Sequence, residues 1–157
     1  MCIFKNMMKY TPVLCITLVF SFAISTEDLD WSGEELNCVD ELKLDKKSIH
    51  ALNKQFITPE DNDDFNNFVE CYWKKKGIQH QNGEIDFHKL DELLLIELLK
   101  EYGTGIDESA SIVAQIFENA LSACKQRCIR GKSHGQTAVK VQNCIAREVQ
   151  SAFMADF

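Results

Sequence analysis

ECYWKKKGIQHQNGEIDFHKL, Glu70–Leu90, packs a helix end, a glycine turn and a helix start into one short stretch. Its second half, from His80, reads like the closing half of a calcium loop: Asn82-Gly83, then Ile85, then an apolar helix. With Gly83 as loop position 6, position 1 is Ile78, position 3 is His80 and position 12 is Lys89. That loop requires oxygen ligands at 1 and 3 and a bidentate Glu at 12. An apolar side chain and an ammonium supply neither, so the calcium reading fails and no metal site is expected. Gly83 is then a turn glycine. Asn-Gly tolerates positive φ, and Asp86 is placed to cap the helix that follows.

Upstream of this turn, Phe65, Phe68, Val69, Tyr72 and Trp73 form one apolar stripe at helical spacing. Lys74, Lys75 and Lys76 complement the dipole at that helix's end, and Gly77 closes it. Thr58-Pro59-Glu60 offers a cap, a first-turn proline and an acid for its start. Before it, Ser32-Gly-Glu-Glu opens a helix carrying Leu36, Cys38, Val39 and Leu42. Asp45 caps another with Ile49, Leu52 and Phe56. Downstream, Phe87–Tyr102 has the centre LLLIELL, apolar nearly all round, as expected of a helix surrounded by others. Asp107 caps a long helix to about Arg130, with Val113, Phe117, Ala120, Leu121 and Cys124 on one side. The last helix runs from about Gln136 through Ala138, Val141, Cys144, Ile145, Val149 and Phe153 to a short tail. No alternating run is long enough to be a strand. The expected class is all-α, with six helices.

Lys5 and Lys9 precede the apolar run Thr11–Ile24, which ends in small residues. That is the pattern of a secretory signal peptide, and the run is short for a membrane span. We therefore expect residues 1–25 to be a signal peptide and 26–157 a single helical ligand-binding domain, secreted to the extracellular space. Losing Lys5 and Lys9 takes the net charge from −7 to −9. Such a balance argues against nucleic-acid partners. Cys38, Cys71, Cys124, Cys128 and Cys144 stay in the domain. In an oxidising compartment their odd number allows two bridges and leaves one thiol. Cys128 falls near Cys124 on its helix, so either could face Cys144.

Little catalytic chemistry is visible. His50, His80, His88 and His134 lie near helix ends or turns and form no metal or nucleophile motif. CKQRCIRG, Cys124–Gly131, lacks the His-Asp pair of a secreted helical phospholipase. The chain is read as a non-enzyme without cofactor. It does carry apolar surface on six helices, and irregularly crossing helices can leave a cavity for a small hydrophobic ligand.

The cysteine frame resembles that of the insect odorant-binding (pheromone-binding) proteins, which are secreted six-helix carriers. The resemblance rests on Cys71-Tyr-Trp-Lys-Lys-Lys-Gly77 followed by Asn82-Gly83-Glu84-Ile85-Asp86, and on the cysteine spacing. Two of the family's six cysteines are missing: Asn67 and Gly135 stand in their places. They form one bridge there, so the chain is similar to the four-cysteine ("minus-C") branch. The resemblance implies a disulfide-stapled bundle around an apolar cavity, with bridges Cys38–Cys71 and Cys124–Cys144. Cys128 is then the free thiol, expected to be buried and inert rather than linking a homodimer. It also implies that positions 67 and 135 face each other, so that cysteines placed there would form a third bridge. Some relatives fold the C-terminal tail over the pocket, and Ala152–Phe157 is apolar enough for that.

The implied function is a carrier of small hydrophobic ligands such as odorants, pheromones or lipids, with a membrane receptor as a further partner. The candidate lining is Phe68, Tyr72, Leu90, Leu94, Leu98, Val113, Phe117, Val141, Ile145 and Phe153. The alternative is a secreted helical interaction protein, a venom, salivary or signalling component, with a filled core. Pocket volume separates the two.

Overall fold

The computed structural model describes residues 31–102 and 108–155, with side chains outside 97–110. The signal-peptide reading of residues 1–25 and the Asp107 cap lie outside the described residues. Six helices follow in order: α1 Gly33–Glu41, α2 Lys46–Asn53, α3 Asp63–Lys75, α4 Phe87–Tyr102, α5 Glu108–Gln126 and α6 His134–Ala155.

Local chemistry explains most of the helix ends. Asp45 accepts the Ser48 N–H at 2.8 Å to start α2, and Asp86 accepts the Lys89 N–H at 2.9 Å to start α4. Ser133 caps α6 by accepting the Gln136 N–H at 3.0 Å. α3 departs from expectation. Its cap is Asn62, which accepts the Phe65 N–H at 2.9 Å, and Asp63 and Asp64 fill the first turn. Thr58 is free for another task, described below. Two helices end through left-handed residues. Gly77, at φ 72°, lets Ile78 N–H reach the Trp73 carbonyl at 2.8 Å. Lys43, at φ 53°, does the same for Leu44 and Val39 at 3.0 Å.

α6 is the central helix, packed on α3 and on α5. Nine of its residues are buried, from Gly135 to Val149, so two neighbours can share it. This corrects the expectation that α4 would be the surrounded helix. α4 packs on α5, and although Leu90 is buried, Leu95 and Ile96 are 49% and 39% exposed. Hydrophobicity all round a helix does not decide which helix becomes central. Small residues that permit close approach do more, and α6 has Gly135 and Ala138 on its buried face. Phe56 is also exposed, because α2 stops at Asn53 and no longer carries it.

Disulfides Cys38–Cys71 and Cys124–Cys144 tie α1 to α3 and α5 to α6, with Cα separations of 5.8 and 6.0 Å. Their sequence separations are 33 and 20. On the loop-entropy account each restricts the unfolded chain by about 3–4 kcal/mol. The exposed ion pairs that join α1 to α3, Lys75–Glu41 and Lys76–Glu34, add far less.

A buried polar tie fastens the segment before α3 to α6. Asn143, fully buried, accepts the Thr58 N–H at 2.9 Å and its hydroxyl at 3.2 Å. Its amide donates to the Thr58 carbonyl at 2.8 Å and to Glu60 Oε1 at 3.2 Å. Gln79 makes a second tie. Its side-chain amide donates to the Gly83 carbonyl at 3.1 Å and the His134 carbonyl at 3.0 Å.

Candidate functional site

The α3–α4 turn folds back on itself. Asp86 N–H bonds the Ile78 carbonyl at 2.7 Å, His80 N–H bonds Glu84 at 2.8 Å, and Gln79 and Ile85 make one isolated bridge. At its tip Gly83 has φ 86°, and the His134 ring lies where its Cβ would be, 2.2 Å from that point. Gly83 is therefore a turn glycine for two reasons, positive φ and the close approach of α6's first residue.

This turn forms one wall of a cleft of about 500 Å³, and the end of α5 with the α5–α6 connection forms the other. Its lining is His80, Glu84, Ile85, Asp86, Phe87 and His88 on the first side. Lys125, Cys128, Ile129, Arg130 and, from α6, Val141 complete it. Among the described residues no three His, Cys, Asp or Glu side chains converge as a metal site, and no hydrogen bond joins Cys128 to either histidine.

Asp86 is the group in the cleft with a clear acid–base bias. Its hydrogen bond from the Lys89 backbone, and more weakly from His88, holds its pKa below the ordinary 3.8. A lowered folded value means the cap contributes fully above 3.8 and is lost as pH falls through the lowered value. Asp86→Asn keeps an acceptor without the titration. It should lower the melting temperature slightly at neutral pH, where the ionised cap contributes, and reduce the further loss of stability below about pH 4. An unaltered acid limb in a thermal melt series would show that the cap does not titrate with folding.

Cys128 differs from expectation. α5 ends at Gln126, short of Arg130, and Cys128 lies beyond it in a left-handed conformation, φ 49°. It therefore does not continue the helical face of Cys124, and its thiol is exposed rather than buried. The sulfur opposite Cys144 is that of Cys124.

Of the nine lining candidates whose side chains are described, only Val141 borders this cleft. Phe68, Leu90, Val141 and Ile145 are buried in the core. Tyr72 is half-buried and stacks on Phe68, with centroids 6.3 Å apart and planes 4° off parallel. Leu94, Val113 and Phe117 are half-buried on α4 and α5. The Leu98 side chain lies outside the described residues. Phe153 is 42% exposed, and residues 152–155 continue α6 instead of forming a tail. The helical register simply runs on through Ala152 and Met154, with no glycine or proline to stop it. The cleft itself was missed by sequence reasoning. Its walls are far apart in sequence, and each half looks like ordinary turn and helix-end chemistry.

No curated protein and no solved structure matches the chain. A family pattern does, and it covers most of the helical unit just described. That match, to the PBP/GOBP family, spans residues 31–148 and takes in all four bridged cysteines, so the chain belongs to this family of odorant- and pheromone-binding proteins.

Proposed function

We propose that this protein is a secreted carrier of one small apolar molecule, held among α3, α4, α5 and α6, and that it is a four-cysteine member of its family. Proteins of the family bind small hydrophobic ligands and are not enzymes. The observation that carries the reading is family membership over the whole bridged frame, with Cys38–Cys71 and Cys124–Cys144 in place and Asn67 and Gly135 as non-cysteines. Residues 1–25 would act as the signal peptide, leaving 26–157 as the ligand-binding domain. Among the described residues no helix is long and apolar enough to cross a membrane.

In this reading the interior surface consists of Phe68, Tyr72, Leu90, Leu94, Val113, Phe117, Val141 and Ile145. Affinity would come from desolvation, about 25 cal/mol per Å² of apolar surface removed from water. Val113 and Phe117 are half-buried on α5, and we assign them as the side chains that meet the guest.

The probe N-phenyl-1-naphthylamine should bind with saturable, one-to-one fluorescence enhancement. Val113→Trp, which places a large ring in the same space, should abolish the enhancement while the protein still melts cooperatively. Folded protein that gives no saturable signal would overturn the carrier reading and favour a helical protein that acts through its surface.

A further inference from the structure

The cleft between the α3–α4 turn and the α5–α6 connection has the size of a small-molecule site, about 500 Å³. Its lining sorts by chemistry. Ile85, Phe87, Ile129 and Val141 provide apolar surface, while the charged groups divide between the two walls. On the turn side both carboxylates already hold donors. Asp86 accepts the Lys89 N–H at 2.9 Å and lies 3.9 Å from His80 Nε2, and Glu84 accepts from the Asn82 amide at 3.0 Å. On the other side the cations are unmatched. Among the described residues Lys125 has no carboxylate partner, and Arg130 donates only to its neighbour's carbonyl at 3.4 Å.

We propose that this cleft is a second binding site, separate from the interior one, for a small amphipathic carboxylate. The head group sits between Lys125 and Arg130, and the chain lies on the apolar residues. Guanidinium offers a carboxylate paired donors in a fixed fork, and ammonium adds a compact charge. The aliphatic stems of both side chains extend the apolar surface toward the head. The acidic chain as a whole, at −7, repels anions, but that field is screened beyond about 8–10 Å in physiological salt. Local pairing therefore decides the preference. A ligand amine would instead meet two unpaired cations, and an inorganic anion would leave the apolar surface wet.

Cys128 supplies the readout, since its exposed free thiol lines the same cleft. Its alkylation by uncharged iodoacetamide is followed in the intact two-disulfide protein with octanoate, octylamine or octan-1-ol present at equal concentration. Octanoate, ionised at neutral pH, should slow alkylation saturably, and the amine and alcohol should not. Lys125→Gln with Arg130→Gln removes two exposed cations without touching the core. It should weaken the octanoate protection several-fold, as expected for the loss of two exposed charge pairings. N-phenyl-1-naphthylamine fluorescence, read in parallel, reports the interior. Octanoate that displaces the probe yet leaves alkylation unchanged would place it inside only and overturn the second site. Equal protection by octan-1-ol, or undiminished protection in the double variant, would overturn it too.

Discussion

Gly135→Ala should lower the melting temperature by roughly 10 °C, although the residue lies in a helix, where alanine is ordinarily the better choice. An ideal Cβ at this position falls 2.1 Å from the Asn66 carbonyl oxygen and 2.6 Å from its carbon. The obstacle is backbone, so no rotamer change relieves it. Replacing a helical glycine gains about 0.5–1 kcal/mol, whereas forcing extra volume into a packed contact costs about 1–3 kcal/mol or more. The clash decides the sign, and at about 4 °C per kcal/mol for a domain of this size the shift is large. Gly33→Ala is the control: nothing lies within 4 Å of its Cβ, so that variant should melt no lower than the parent. Equal melting temperatures for Gly135→Ala and Gly33→Ala would mean that α3 and α6 separate at little cost.

The same contact bears on the third bridge that the resemblance implies. An ideal Cβ at position 135 meets the backbone of Asn66, so position 67 lies one peptide bond from the contact. Asn67→Cys with Gly135→Cys should therefore form a bridge under oxidising conditions and melt above Gly135→Cys alone, because a disulfide adds about 2–4 kcal/mol. Thiols that peptide mapping finds free would show that the two positions do not face each other.

Asn143→Ala should cost about 3–5 kcal/mol, the sum of a lost tie and the polar groups it strands. Thr58 is 2% exposed, and both its N–H and its carbonyl bond the Asn143 side chain. Neither finds water when the amide is removed, and each unsatisfied buried group costs about 1–3 kcal/mol. Urea unfolding should show the midpoint falling with an unchanged slope. Thr58→Ala removes the hydroxyl, whose bond is the longer at 3.2 Å, and one methyl group but keeps both backbone bonds, and should cost clearly less. Equal losses from the two variants would show that the backbone contacts do not matter.

The elements legible in advance were those governed by neighbouring residues. The stripe Phe65–Trp73, the stop at Gly77, the turn at Gly83 and the caps at Asp45 and Asp86 all follow from spacing and side-chain donors or acceptors within one turn of chain. Thr58 misled because its cap chemistry was sound locally, yet a stronger partner, Asn143, waits in α6. α5 overran for a similar reason. Helical periodicity continues past Gln126, and nothing in the sequence announces the positive φ at Cys128.

By itself the sequence determined the helical class and the six helices among the described residues, and the resemblance of its cysteine frame supplied the two bridges. These rest on local propensity and spacing. Which helix is central, that Gly135 meets Asn66, that the spare thiol faces solvent, and that the turn and the α5–α6 connection form a cleft were decided only by tertiary structure. Each depends on groups brought together from distant parts of the chain. Burial and close approach are properties of the packed assembly, and no residue carries them alone.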